Sequence, residues 1–157
     1  MIYNSFVPVT GTIFNIARGD ECCSMMVSLR TENGVVNFIV DAQTQVIDNR
    51  QLRIGMQVTA FYDGSLPVPL IFPPRYRARI ITLIERNEQV MLNYFDRNLL
   101  AQDRSLQLNL GGNTNIRTAN GQNFNCSPAN QTLLVYYTAT TRSIPPQTTP
   151  SRIVVFC

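Results

Sequence analysis

The sharpest chemical signal in this 157-residue chain comes from four cysteines: Cys22 and Cys23 side by side, Cys126 in an Asn-Cys-Ser-Pro stretch, and Cys157 as the final residue. Thiols ligate metals, exchange disulfides or act as nucleophiles. Structural zinc sites set their ligands two to four residues apart in paired clusters. An adjacent pair with two distant partners and no histidine does not match, and a C-x-x-C redox pair is missing too. Two readings remain. The cysteines are reduced thiols, two of them in the core, or they form disulfides, with bonds between chains favoured over bonds within one. In an extended segment Cys22 and Cys23 would point to opposite faces and so address two partners. Cys157, little constrained by the fold, is well placed to reach another subunit.

Arg75, Tyr76, Arg77 and Arg79 form a second group. If the segment is extended, the three guanidinium groups share one face. A basic stripe with an aromatic residue is how single-stranded nucleic acid, or another anionic polymer, is held on a small barrel. The competing reading is that these arginines meet carboxylates such as Asp63 or Glu85, or discourage strand pairing at a sheet edge.

Other chemistry is lacking. There is no histidine, lysine or tryptophan, all thirteen basic residues are arginine, and the ten carboxylates are scattered, for a formal charge of +3. Without histidine the commonest general base and metal ligand is gone, and no serine or threonine has an activating partner. No catalytic residue, cofactor site or metal ligand is assigned, and the expectation is a non-enzymatic protein. Arginine stacks on aromatics and forms bidentate pairs, which suits contacts between surfaces.

The elements that carry these residues repeat. Gln57–Ile84 is echoed by Thr132–Phe156: Phe61-Tyr62 matches Tyr136-Tyr137, Pro73-Pro74 matches Pro145-Pro146, and Arg79-Ile80-Ile81 matches Arg152-Ile153-Val154. The offset is roughly 70 to 75 residues. Two lobes follow, residues 1–86 and a shorter 87–157. Thr10–Ala17, Cys23–Arg30, Val35–Val40, Gln57–Asp63, Arg79–Ile84, a segment from Val90, Leu106–Leu110, Thr132–Thr138 and Ser151–Phe156 read as strands. Asn33-Gly34 and Asn120-Gly121 mark tight turns. Helical periodicity is missing, which predicts an all-β class: two tandem small OB-like β-barrels, or alternatively one fused β-sandwich.

The stretch Leu66–Pro74 holds four prolines and must be loop or polyproline-like backbone. Its Leu70, Ile71 and Phe72, and Ile144 in the matching loop, either tuck over the end of a barrel or present an apolar patch for assembly. The amino terminus has no basic n-region followed by an unbroken apolar run, and no segment is long enough to span a bilayer. The expectation is synthesis in the cytoplasm without a signal peptide and no membrane insertion.

The segments FYDGSLPVPLIFPPRYRA and TTRSIPPQTTPSRIVV resemble an uncharacterised family of small two-lobed β proteins from spore-forming Gram-positive anaerobes. The shorter pattern, an aromatic-Tyr strand, a proline loop and a closing strand, is similar to a repeat in some clostridial surface proteins associated with copper-amine-oxidase-like amino-terminal domains. The resemblance implies a setting, the spore surface or an extracellular location after lysis, and carries no functional residues. Together with the residues, it leads to the expectation of a self-assembling structural protein whose partner is itself, a homopolymer or layer locked by intermolecular disulfides. The alternative is a tandem module that binds single-stranded nucleic acid or another anionic polymer.

Overall fold

The computed structural model describes residues 3–157. The chain forms two compact units, the first Asn4–Arg86 and the second Asn87–Cys157 together with Tyr3. The described residues contain no α-helix, only strands, turns and one 3₁₀ turn at Ile47–Asn49.

In the first unit β1 (Phe6–Arg18), β2 (Met25–Thr31) and β3 (Gly34–Val40) form an antiparallel meander. The Asn33-Gly34 turn joins β2 to β3, and Gly34 holds φ at 111°, a value that L side chains rarely adopt. Next come β4 (Gln45–Val46), β5 (Gln57–Asp63), β6 (Arg75–Arg77) and β7 (Ile80–Leu83). The sheet order is β4-β7-β5-β1-β2-β3-β6. β6 and β7 are parts of one run of chain. Its first part pairs parallel with β3 and its second antiparallel with β5. The switch falls at Ala78-Arg79, where the amide of Ala78 donates to Ile39 and that of Arg79 to Phe61.

The second unit repeats this plan with one strand fewer: β8 (Gln89–Phe95), β9 (Gln107–Leu108), β10 (Asn115–Thr118), β11 (Gln131–Tyr137), β12 (Gln147–Thr148) and β13 (Arg152–Phe156). They make a four-stranded sheet, β10-β13-β11-β8, and a two-stranded parallel pair, β12-β9. The repeat extends to individual hydrogen bonds. Asn37 N–H donates to Pro74 as Gln107 N–H does to Pro146, Arg79 to Phe61 as Ser151 to Tyr136, and Gln45 to Arg79 as Asn115 to Ser151. The hydroxyls of Thr44 and Thr114 donate to Ala78 and Pro150, each at 2.8 Å. Phe72–Pro73 and Ile144–Pro145 are both cis.

The all-β class is as expected from the sequence, but neither unit closes its ladder into a barrel. The sheets are open and sandwich-like, because β6 and β7 share one chain segment between two flanks and do not pair with each other. The repeat register also shifts: gap-free from Pro-Pro onward, Ser151 stands where Arg79 does, and Arg152 matches Ile80. Leu106–Leu110 yields only the two-residue β9, and Leu110 is exposed.

Each unit has its own apolar core. Ile13, Val27, Leu29, Phe38, Val58, Ala60 and Ile81 form the first, and Phe95, Leu106, Leu133, Val135, Ile153 and Val155 the second. On β11 and β13 the intervening Leu134, Tyr136 and Val154 are equally buried, so this central pair of strands is buried on both faces. Its sequence therefore reads as unbroken apolar runs rather than alternation.

Candidate functional site

The turn that holds Cys22 and Cys23 is made by glycine. The amide of Gly19 donates to Ser24 at 3.0 Å and that of Ser24 to Glu21 at 3.2 Å, closing a loop between β1 and β2. A Cβ on Gly19 would lie 2.2 Å from Ser24 Oγ and 2.8 Å from its carbonyl carbon. The pair is thus in a turn, not the extended strand read from the sequence, and the opposite-faces argument does not apply. Arg18 Nη2 donates to Cys22 Sγ at 3.0 Å. Cys126 lies in the loop before β11 and Cys157 follows β13. All four thiols are free and exposed, so none fills the core. Among the described residues no cluster of three or more histidine, cysteine or acidic groups is placed to hold a metal.

The proline loops lie open. Phe72 is 92% and Ile144 99% exposed, Leu70 is wholly so, and Ile71 is 45% exposed. These side chains are therefore exposed and not tucked over the end of a sheet. Prolines cannot complete a ladder and fix an extended backbone, so the loop between β5 and β6 leaves the sheet and holds its side chains away from it. Leu66 and Val68 in the same loop are also exposed.

The basic stripe is divided. Arg75 and Arg77 are exposed on β6, while Tyr76 between them turns inward, as strand alternation requires. Its ring stacks on Tyr62, with centroids 3.8 Å apart and planes 3° from parallel, and tilts against Phe38 at 5.9 Å. Arg77 pairs with Asp41, a carboxylate the sequence did not single out. Arg79 lies with its guanidinium carbon 5.4 Å above the centre of the Phe6 ring. Beside this stretch opens a cleft of about 160 Å³, lined by Tyr62, Asp63, Leu66–Val68, Tyr76, Arg77 and Arg79, with Arg75 outside it.

Two ionisable groups in the cleft are shifted. Burial, then the neighbouring Tyr76 hydroxyl, pushes the Tyr62 phenol above its ordinary value. Asp63 is held below the usual carboxylate range, first by the hydroxyl of Ser5 and then by Ser65, with the Arg79 charge a smaller contribution. Ser5 Oγ and Ser65 Oγ each donate to Asp63 Oδ1 at 2.6 Å, and the Ser65 amide adds a bond at 3.0 Å. The part of this site that sequence reasoning missed is Tyr62 with Asp41: both are far from the stripe in sequence and reach it only through the β3–β6 and β5–β7 pairings.

No protein-family model, curated protein or solved structure matches the chain.

Proposed function

We propose that this chain is a non-enzymatic structural protein that assembles with copies of itself through its two proline loops and is then locked by disulfides between chains, as in a spore coat or surface appendage. The observation that carries the reading is the duplicated display: Phe72 and Ile144 stand at equivalent positions of equivalent loops, and both are almost fully exposed. Apolar side chains displayed on loops mark contact sites when they form a patch. Two such loops make each molecule bivalent, and a contact that does not close on itself propagates into a filament or sheet. The exposed Cys22, Cys23, Cys126 and Cys157 supply the covalent locks.

The test is a denaturing gel of concentrated protein with and without reductant, with negative-stain microscopy of the unreduced sample. A reductant-sensitive ladder with regular fibres or sheets is expected. A monomer under both conditions, with no ordered particles, sinks the reading.

The second reading, binding of single-stranded nucleic acid or another anionic polymer, draws support from the exposure of Arg75, Arg77 and Arg79. Its aromatic component is weak, because Tyr76 turns inward and gives one face of its ring to Tyr62. The binding would be mainly electrostatic and would fall steeply with salt.

A further inference from the structure

The two units are one scaffold built twice, so each serves as a control for the other. Along the closing segment their backbone hydrogen bonds correspond at Pro74 and Pro146 and again at Arg79 and Ser151, and differ at Ala78, whose amide donates to Ile39 while its counterpart Pro150 has no N–H. At the cleft their side chains diverge. Where the first unit has Tyr76, Arg77, Arg79 and Asp63, the second has Thr148, Thr149, Ser151 and Thr138 at the corresponding register positions. The same backbone is therefore formed without a charged or aromatic set at these places. A closing segment of this trace thus forms without two arginines, a tyrosine stack and an aspartate, although in the first unit the stack also contributes to stability.

We propose that the cleft of the first unit binds a small organic anion bearing an apolar group. The charge is met by Arg77 and Arg79 and the apolar part by the exposed Leu66 and Val68 of the proline loop. A guanidinium carries five N–H donors, so Arg77 keeps its bond to Asp41 and still offers donors to a ligand. Asp63, the one carboxylate lining the cleft, accepts from Ser5 and Ser65 through Oδ1, and its charge beside Arg79 limits how strongly an anion is held there. A space of about 160 Å³ is below the ~300–1,000 Å³ typical of drug-sized ligands, so the fit is to a molecule of few heavy atoms. The anionic group is a carboxylate or a phosphate monoester. The cleft takes Leu66 and Val68 from the loop that also carries Phe72, so the two readings share a segment but not these side chains, and Arg79→Gln tests the cleft without altering Phe72.

The experiment is a backbone and side-chain NMR titration of the intact protein at constant ionic strength. The probes are benzoate and phenyl phosphate, with acetate and inorganic phosphate as charge-only controls. Saturable shifts confined to Tyr62, Tyr76, Arg77, Arg79 and the proline loop are expected with at least one ring-bearing probe, and the stronger probe identifies the anion class. Arg79→Gln, at an exposed position, should weaken that binding about tenfold or more, whereas Arg75→Gln, on the same segment but outside the cleft, should leave it unchanged. Unperturbed spectra of both variants away from the cleft confirm that they fold. Shifts that never saturate, equal shifts with acetate or inorganic phosphate, or wild-type affinity in Arg79→Gln would each overturn the proposal.

Discussion

The rings of Tyr62 and Tyr76 lie parallel at 3.8 Å although they belong to strands that do not pair with each other. β5 is held by β1 and β7, and β6 by β3, so the stack is a side-chain link where the backbone ladder is interrupted. Phe38 tilts against both rings, at 6.4 and 5.9 Å. Tyr76→Ala should destabilise the first unit by about 1–3 kcal/mol, less than the ~3–5 kcal/mol of a fully buried aromatic because the ring is half-buried. Denaturant unfolding followed by tyrosine fluorescence measures it.

Alkaline stability follows from two tyrosines. Burial raises Tyr137, and burial with the Tyr76 hydroxyl raises Tyr62, both above the ordinary phenol value. The folded state then keeps its phenol protons to higher pH than the unfolded state. Their contribution is complete below about pH 10 and is lost as pH rises through the raised folded values. Tm should fall in that window, and Tyr62→Phe should flatten part of the fall. A Tyr62→Phe curve that coincides with wild type above pH 10 would falsify this assignment.

On the acid side Asp103 is lowered, chiefly by the Ser105 hydroxyl, with Asn93 contributing less. Ser105 Oγ donates to its Oδ1 at 2.5 Å and Asn93 Nδ2 at 3.1 Å. A depressed carboxylate stabilises the fold above its unfolded value and loses that effect as pH falls through the folded one. Ser105→Ala should move the Asp103 titration, read by carbon-detected NMR, back up toward the ordinary range. The same logic predicts that Ser5→Ala raises Asp63.

Two glycines differ in what a methyl group would meet. On Gly19 it would strike the backbone of Ser24, whereas around Gly112 there is open space. Gly19→Ala should cost about 1–3 kcal/mol and loosen the turn that holds Cys22 and Cys23. Gly112→Ala should be close to neutral in the same thermal melt. Equal effects would mean that the turn is not tight in solution.

At the surface, Phe72→Ser combined with Ile144→Ser should leave Tm within about 0.5 kcal/mol equivalent of wild type, because neither side chain is packed. Sedimentation at high concentration should nonetheless show reduced self-association. Unchanged association would move the contact away from the proline loops.

Strand identity was legible where one strong pattern was present. Gln57–Asp63 matches β5 end to end, and Asn33-Gly34 is the turn its sequence announces. Other features were lost for definable reasons. β4 has two residues and β10 four, both in parallel pairs, too short for any periodicity to register. Cys23 was read into a strand because Cys23, Met25, Val27 and Leu29 alternate, yet the Gly19–Ser24 turn takes precedence and β2 begins at Met25. Arg79 was matched to Arg152 by identity, whereas the hydrogen bonds pair it with Ser151, since an Arg-Ile match in sequence carries no register. At the cleft the stripe Arg75–Arg79 was visible, but its partners Asp41 and Tyr62 were not. Asp41 directly follows β3 and Tyr62 lies on β5, and only long-range pairing brings both beside the stripe.

That one run from Arg75 to Leu83 serves both flanks of the first unit has a consequence for the order of synthesis. While the chain is being made, β1, β2, β3 and β5 can associate as they emerge, but both flanks stay bare until the final nine residues of that run have left the ribosome. The unit therefore completes its two edges together and late. A nascent chain halted before Arg75 would present the edges of β3 and β5 to its neighbours on the same message, and one extending past Leu83 would have both covered, leaving only the short β4 and β6 at the margins.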